Sequence, residues 1–241
     1  MSTNKKKPSP GFIEAHDRRE RRRALAIRTG VTALIVGLIL AIGIAIVVKR
    51  SHQETATPTV VPSAFTPDGG LTFGNPDAPV TVSVTEDFQC PACRQFETTS
   101  GPVLTELMNA GQILVDDHPI AFLDRASSTQ YSTRAANAAA CVAQIDRDKW
   151  PAWKAAMFDA QPEEGGTGLT DDQIVAIAAQ VGITSPDLAP CITDQTYADW
   201  VTTTTNTAMN GIPGTPYVTV NGKPVTDISP DGIRAAITAA Q

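Results

Sequence analysis

Two cysteines separated by two residues, Cys90 and Cys93, give this sequence its clearest signal of chemistry. Such a pair can form a permanent disulfide, supply half of a zinc site or open and close as a redox couple. A permanent bridge would close a very small loop, which stabilises a fold only weakly. A structural zinc site normally takes two close ligand pairs, whereas the other cysteines, Cys141 and Cys191, stand apart in the sequence. The redox couple is therefore favoured, and neither a metal nor an organic cofactor is expected.

The position of the pair in the predicted secondary structure supports the redox interpretation. Residues 78–88 alternate and are rich in valine, which predicts a β-strand, and the cysteines open the helical segment that follows. Cys90 would then lie at a helix N-terminus, where free backbone N–H groups and the helix dipole stabilise a thiolate. Pro91 suits the first helical turn. We expect Cys90 to be the sulfur that is attacked and Cys93 to be its less accessible partner.

A second candidate element lies much further along the chain. Thr215 and Pro216 open a predicted strand after a glycine-bearing turn, in the segment GIPGTPYVTV. An isolated X-Pro bond is usually trans, but in combination with the cysteine pair we expect a cis proline here. Glu86 and Asp87 directly precede the cysteine helix, and their carboxylates either tune proton transfer or are solvated at a strand end. His118, at the end of another predicted strand, is assigned no role.

The remaining elements predict an α/β fold. Pro102 interrupts the helix after the cysteines, and a second strand follows at residues 112–122. Residues from about 126 to 210 are predicted to form a helical insertion, after which a hairpin at 214–228 and a closing helix complete the chain. The first strand, helix and second strand form a right-handed unit with parallel strands, and the hairpin adds antiparallel ones. The predicted sheet is therefore mixed and flanked by helices.

The N-terminal part of the chain predicts a membrane anchor. Residues 30–48 are nineteen uncharged residues, nearly enough for a helix to span the hydrocarbon core of a bilayer. The basic segment before them, residues 1–29, predicts a cytoplasmic N-terminus. The apolar stretch is longer than that of a signal peptide and has no small-residue cleavage site, which favours a retained anchor. Residues 49–70, rich in Thr and Pro, are predicted to be a linker, and residues 71–241 an outward-facing domain.

Charge divides the chain at the same place. Residues 1–50 carry eleven Lys and Arg against three Asp and Glu, whereas residues 51–241 carry eight against twenty-two. An acidic domain lacks the basic patches that phosphate contacts need, which argues against nucleic-acid binding. All four cysteines lie on the predicted outward side, where disulfides persist. We expect Cys141 and Cys191 to form a structural disulfide that staples the insertion, and two free buried thiols are the alternative.

Three segments together resemble the DsbA-like branch of the thioredoxin-fold family of extracytoplasmic thiol-disulfide oxidoreductases. GNPDAPVTVSVTEDFQCPACRQFE is similar to the entry strand and active-site helix of that branch. AANAAACVAQIDRDKWPAWKAAMFDAQ is similar to its helical insertion, and GIPGTPYVTVNG to its cis-proline loop and hairpin. The resemblance covers roughly residues 72–240. The Cys-x-x-Cys and Gly-Thr-Pro elements are weak signals singly, but specific when they occur together in this order.

The resemblance implies a thioredoxin-like fold with the helical insertion between the second strand and the cis-proline hairpin. It also implies residue roles: Cys90 is the exposed nucleophile and Cys93 its buried partner. Thr215 and Pro216 form the loop that pairs with the substrate backbone. Strong oxidants of the family carry a histidine between the cysteines, where this sequence has Ala92, so the oxidising strength is left open.

The expected function follows from this resemblance and from the predicted anchor. An anchored, single-pass monomer in the cell membrane, contacting the lipid bilayer through residues 30–48, would oxidise cysteines of unfolded exported proteins. A quinone-linked membrane oxidase of the DsbB or VKOR type would then reoxidise it. A thiol reductase or disulfide isomerase of the same fold is the alternative within redox chemistry. A tethered binding module without catalytic activity is the alternative outside it.

Overall fold

The structure is a computed structural model that describes residues 59–241 of the 241-residue chain. The predicted cytoplasmic tail (1–29), the predicted transmembrane helix (30–48) and the first part of the predicted linker lie outside the described residues. Across residues 59–241, no helix combines the length and the apolar character that crossing a bilayer requires.

A mixed five-stranded sheet lies at the centre of the described domain. Its strands are β1 (Leu71–Gly74), β2 (Val80–Glu86), β3 (Ile113–Pro119), β4 (Tyr217–Val220) and β5 (Lys223–Pro224). Their order across the sheet is β1-β3-β2-β4-β5, with β2 and β3 parallel and the other neighbours antiparallel. Val84 in β2 pairs with Asp117 of β3 and with Val218 of β4. The predicted parallel unit and the predicted hairpin are confirmed.

The first strand, β1, is not predicted from the sequence. Its four residues are too few to show a period of two, and they directly follow the Thr- and Pro-rich segment. Pairing with β3 supplies its backbone hydrogen bonds, and Leu71 is fully buried. The ring of Phe73 stacks on Trp150 with the ring centroids 5.4 Å apart. The strand therefore joins the edge of the sheet to the helical insertion.

Helices cover the sheet and build the insertion. They are α1 (Pro91–Thr99), α2 (Gly101–Asn109), α3 (Tyr131–Ile145), α4 (Trp150–Asp159), α5 (Asp171–Gln180), α6 (Leu188–Thr193), α7 (Ala198–Met209) and α8 (Pro230–Thr238). Helices α3 to α7 are the predicted insertion. Pro102 splits the helix after the cysteines into α1 and α2, as predicted, and the break falls at Ser100. The Ser100 hydroxyl donates a 2.7 Å hydrogen bond to the carbonyl of Ile228, which ties the break to the start of α8.

The buried apolar side chains form two clusters. One lies between the sheet, α2 and α8, and the other fills the insertion around the alanine-rich face of α3. Cys90 and Cys93 belong to the insertion cluster, whereas Phe96, one turn later in α1, belongs to the sheet cluster. The cysteine pair therefore lies where the two clusters meet.

Residues 59–70, the described part of the predicted linker, pack on the insertion. Phe65 is only 7% exposed and meets the ring of Trp200 edge-on at 4.8 Å between centroids. The hydroxyl of Ser63 lies within hydrogen-bond distance of the Gln144 side chain. These contacts hold the segment that enters the domain against α3 and α7.

The predicted disulfide between Cys141 and Cys191 is present. It joins α3 to α6 across fifty residues of sequence. Asn137, one turn before Cys141, strengthens the same junction, because its side-chain oxygen accepts a 2.7 Å hydrogen bond from the backbone N–H of Tyr197. The insertion is therefore cross-linked by both a covalent bond and a buried amide.

Candidate active site

The first cysteine lies at the N-terminus of α1. Cys90 is the N-cap residue, with an extended backbone, and Pro91 occupies the first turn. No side chain caps this end of the helix, so no other side chain competes with the Cys90 sulfur for its first-turn N–H groups. The backbone N–H of Cys93 donates to the Cys90 carbonyl at 3.1 Å, which closes the turn around the pair. The local sequence thus produces the predicted placement of the sulfur.

The loop that contains Thr215 and Pro216 lies directly opposite this sulfur. The peptide bond between the two residues is cis, as the sequence predicts. The Sγ atom of Cys90 is 3.5 Å from the Thr215 carbonyl oxygen, within the range of a hydrogen bond donated by a thiol. The structure therefore brings together two elements that are 125 residues apart in sequence.

Cys90 and Cys93 are free thiols, and they differ less in exposure than the sequence predicts. Cys93 is completely buried, but Cys90 is also only 7% exposed, rather than the open nucleophile of the prediction. Contact with the Thr215 loop and packing in the insertion cluster account for this burial. A partner thiol can reach Cys90 only through a narrow accessible surface.

The surroundings of Cys90 favour its thiolate. Its pKa is lowered from 9.0 to about 5. The hydrogen bond from the Cys93 thiol is the largest cause; the Thr215 side chain and the backbone N–H groups of Cys93 and Ala92 also contribute, and burial opposes them. Neighbouring hydrogen-bond donors thus stabilise the Cys90 thiolate, which is the role that a histidine at position 92 would have.

The second cysteine has the opposite tendency. Burial is the largest cause that raises the pKa of Cys93, and the hydrogen bond to Cys90 and the charge of Glu86 raise it further. A Cys93 thiolate is therefore costly to form, and the thiol is the stable reduced state. The two sulfurs therefore differ in protonation: Cys90 ionises readily, and Cys93 keeps its proton.

Glu86 and Asp87 are buried, which excludes the alternative that they are solvated at a strand end. Asp87 is completely buried and accepts hydrogen bonds from the backbone of Gln89, the backbone of Leu123 and the hydroxyl of Ser132, at 2.7 to 2.8 Å. Burial raises the pKa of Asp87 to about 6, although these three donors oppose the shift. The Asp87 carboxyl therefore holds the turn before Cys90 against the start of the insertion.

Glu86 belongs to a buried charge cluster that is not predicted from the sequence. The Nζ atom of Lys154 lies 3.1 Å from Glu86, 2.9 Å from Glu97 and 2.6 Å from Asp117. Burial, followed by the charge of Glu97, raises the pKa of Glu86 well above its usual value. Burial alone would lower the pKa of Lys154, but the three carboxylates raise it. The cluster joins β2, α1 and β3 to α4.

A sequence signal for this cluster exists in retrospect. Lys154 interrupts the apolar segment WPAWKAAMF, and Glu97 follows Cys93 by one helical turn. A lysine that is buried among aromatic residues needs an acidic partner, but the sequence shows neither the burial nor the partner. Among residues 59–241, no three His, Cys, Asp or Glu side chains converge in a way that could hold a metal ion.

A Cys-x-x-Cys pair at a helix N-terminus, opposite a cis-proline loop on a mixed sheet, defines the class of thioredoxin-fold redox proteins. Sequence comparison agrees, since a profile of the family described as Thioredoxin matches residues 66–239. Reduced DsbG of Mycobacterium tuberculosis, a disulfide bond oxidoreductase, is 30% identical with a TM-score of 0.62, covering 78% of this chain and 90% of that chain. Reduced DsbA of the same organism is 31% identical with a TM-score of 0.56, covering 77% and 96%. Oxidised BdbD of Bacillus subtilis is 25% identical with a TM-score of 0.63, covering 75% and 97%.

The chain belongs to the DsbA-like family of thioredoxin-fold thiol-disulfide oxidoreductases. A stretch of 128 residues is also 33% identical to part of the serine/threonine-protein kinase PknE of Mycobacterium tuberculosis. That stretch covers 51% of this chain and 22% of the kinase, so the chain spans less than a quarter of the curated relatives that it matches.

Proposed function

We propose that this oxidoreductase works in the oxidising direction, introducing disulfides into exported proteins from an anchor in the cell membrane. The observation that carries the proposal is the position of the Cys90 sulfur at the N-terminus of α1, opposite the Thr215 loop, where its pKa is lowered to about 5. A stabilised thiolate favours the reduced enzyme, and an enzyme whose reduced form is favoured is a strong oxidant of other thiols. Stabilisation of this kind does not require a histidine at position 92.

The proposed reaction begins with the Cys90–Cys93 disulfide. A substrate thiolate attacks the Cys90 sulfur, a substrate–Cys90 disulfide forms, and the Cys93 sulfur leaves with the electron pair of the broken bond. Because its pKa is raised, Cys93 takes up a proton and is then a poor nucleophile for the reverse reaction. A second substrate thiolate attacks the substrate sulfur and releases the Cys90 thiolate. The substrate loses two electrons and the enzyme pair gains them.

Buried groups near the pair are suited to supply the proton. The Glu86 carboxyl, whose pKa is raised mainly by burial, is one of the charges that act on Cys93. A carboxyl group whose pKa is raised can donate a proton to a leaving thiolate and recover it later. We assign Glu86 to this proton transfer, and we assign Asp87 to holding the turn that carries Cys90.

The loop at Thr215 and Pro216 is proposed to receive the substrate backbone. Both residues are half-buried beside the Cys90 sulfur, at the entry to β4. An extended substrate segment placed along this loop brings its cysteine next to Cys90. This assignment follows the family resemblance, and the 3.5 Å contact between Sγ and the Thr215 carbonyl supports it.

Turnover requires an electron acceptor and a location outside the cytoplasm. We propose reoxidation of the reduced Cys90–Cys93 pair by a quinone-linked membrane oxidase of the DsbB or VKOR type. The apolar segment 30–48 is proposed to anchor the protein in the same bilayer, with the N-terminus cytoplasmic. The Cys141–Cys191 disulfide supports an oxidising compartment for the domain, because such bonds persist outside the cytoplasm.

The reduction potential of the Cys90–Cys93 couple tests the direction. Equilibration with a thiol buffer should give a value of about −120 mV, typical of a strong oxidant. A value of about −270 mV would instead place the protein with reductases and overturn the oxidising role. The same measurement on the Ala92→His variant is a useful comparison, since a histidine should make the couple more oxidising.

Oxidative refolding of a reduced substrate protein separates the enzyme from a tethered binding module. The wild-type protein should speed disulfide formation, and Cys90→Ser should lose this activity, because no attacked sulfur remains. Cys141→Ser combined with Cys191→Ser is the matched control, since it removes a disulfide outside the site. Equal rates of disulfide formation with the wild type and with Cys90→Ser would favour the binding module. The similarity to part of a kinase is the reason for considering that alternative.

A further inference from the structure

Gln161, which follows the end of α4, contacts the redox site from the helical insertion. Its side-chain nitrogen, Nε2, lies 3.0 Å from the carbonyl oxygen of Phe88 and 2.9 Å from the carbonyl oxygen of Cys90. These two carbonyls flank Gln89, in the turn that leads into α1. A half-buried side chain of the insertion therefore bonds the backbone on both sides of one residue in the active-site turn.

The residue type matches this position. Both partners are carbonyl oxygens, which only accept hydrogen bonds, and an amide NH₂ group has two N–H donors. Each donor has one partner here. Glutamate would have the same length, but when ionised it offers only acceptors and would face two carbonyl oxygens.

The Cys90 carbonyl is the shared acceptor of several hydrogen bonds in the first turn of α1. It accepts the backbone N–H of Cys93 at 3.1 Å and that of Arg94 at 3.2 Å, in addition to the Gln161 amide. Its orientation therefore sets how the first-turn N–H groups face the Cys90 sulfur. Those of Ala92 and Cys93 are among the groups that stabilise the thiolate.

We propose that Gln161 is a positioning residue of the redox site, which fixes the Cys90 carbonyl from the insertion and so aims the N–H groups of the first turn at the sulfur. The placement of Gln161 stands on its two hydrogen bonds to the redox turn, and its effect on the thiolate also draws on the lowered pKa of Cys90. Its consequence for catalysis rests on the oxidoreductase function proposed above. The insertion then contributes to sulfur chemistry, in addition to covering the site.

The test is a titration of the Cys90 thiolate in the reduced full-length protein, followed by its far-ultraviolet absorbance. Gln161→Met keeps the length of the side chain and removes both donors. We expect the midpoint to rise by about one pH unit, a tenfold decrease in the acid dissociation constant. Asp87 and Cys93 are the other titratable groups beside this sulfur, and the variant leaves both in place.

Gln144→Met is the matched control. Its amide also joins the insertion to another segment, by a 2.9 Å hydrogen bond to Ser63, but it contacts nothing in the redox turn. It should leave the midpoint unchanged. An unchanged midpoint in Gln161→Met, even with a lower melting temperature, would show that Gln161 only closes the domain and would overturn the proposal.

A second variant keeps the proposal testable if Gln161→Met does not fold. Gln161→Asn retains an amide that is one methylene too short to reach both carbonyls, and its midpoint should also rise. A midpoint equal to that of the wild type would count against the proposal. The two proposals are tested independently. If the wild-type protein did not speed oxidative refolding, the proposed function would be refuted, but the titration would still show whether Gln161 positions the thiolate.

Discussion

At the scale of single residues, the chemistry depends on how the Cys90 sulfur carries negative charge. The chain has alanine where the resembling oxidants carry histidine, and the structure replaces an imidazole with a thiol, a threonine side chain and two backbone N–H groups. Each of these donors comes from a residue at the helix N-terminus or the cis-proline loop. The sulfur is therefore activated by the fold around it, and no cationic side chain is needed.

The lowered pKa of Cys90 predicts how stability depends on pH in the reduced protein. The folded-state pKa of about 5 lies below the unfolded value of 9.0, so the unfolded state binds more protons between these limits. The stabilisation is full above pH 9 and is lost as pH falls towards 5. The free energy of unfolding of the reduced protein should rise with pH in this window, by up to about 1.4 kcal/mol per unit more than that of the oxidised protein.

Denaturant unfolding of the two redox forms across this pH range provides the measurement. The oxidised protein has no Cys90 thiol to titrate, so it is the internal control. Parallel stability curves for the two forms would contradict the account.

Asp87 predicts a pH dependence of opposite sign. Its folded-state pKa, about 6, lies above the unfolded value of 3.8, so its contribution to stability is full below 3.8 and is lost as pH rises through 6. Relative to Asp87→Asn, the wild-type protein should lose on the order of 3 kcal/mol of unfolding free energy over this rise. Asp77→Asn, at an exposed turn, is the control for charge alone. Equal slopes for the wild type and Asp87→Asn would disprove this role for the buried carboxyl.

At the scale of elements, α4 connects the insertion to the active-site helix. Lys154 reaches from α4 to three buried carboxylates on β2, α1 and β3, and Gln161 follows the end of the same helix. The sequence predicts α4 as a helix and predicts β2 and β3 as strands. It does not predict that one lysine joins them, because a contact between distant elements leaves no periodic pattern.

Removal of that lysine should destabilise the fold strongly. Lys154→Met leaves three buried carboxylates without a counter-charge, and we expect a loss of about 3 to 5 kcal/mol in unfolding free energy at neutral pH. The loss should shrink as pH falls, since protonated carboxyl groups do not repel one another. Lys149→Met, an exposed lysine on the preceding turn, should change stability by less than about 0.5 kcal/mol. A small effect of Lys154→Met at neutral pH would show that the cluster is dispensable.

The scale of the element also shows what local sequence can predict. The cysteine pair and the Pro102 break follow from residue types with strong local preferences, whereas the cis proline is expected only in combination with the cysteine pair. β1 could not be predicted from four residues, and the 7% exposure of Cys90 depends on the Thr215 loop, which is distant in sequence. Local signals thus locate the reactive groups, whereas burial and pKa depend on contacts made only in the fold.

At the scale of the whole molecule, the described domain combines a sheet that carries the redox site with a helical insertion that has its own disulfide. The Cys141–Cys191 disulfide closes a loop of about fifty residues that contains most of the insertion. Both ends of that loop lie outside the contact between α4 and the redox turn. Loss of this disulfide should therefore lower the stability of the insertion without changing the chemistry at Cys90.

Replacing both of these cysteines tests that separation. The double variant Cys141→Ser and Cys191→Ser should lose about 4 kcal/mol of unfolding free energy by the chain-entropy model. Thiol oxidation per folded molecule should be unchanged, because Cys90 and its donors remain. Denaturant unfolding and a refolding assay measure the two quantities, and a selective loss of activity would show that the disulfide takes part in the chemistry.

The central claim is that the fold holds the Cys90 sulfur as a thiolate at the start of α1, and the rate of its alkylation as a function of pH tests this most directly. The full-length reduced protein is treated with a small alkylating agent, and modification is quantified at Cys90 by mass spectrometry. The account predicts a midpoint at about pH 5. A midpoint near 9.0, the value of an ordinary cysteine, would contradict it.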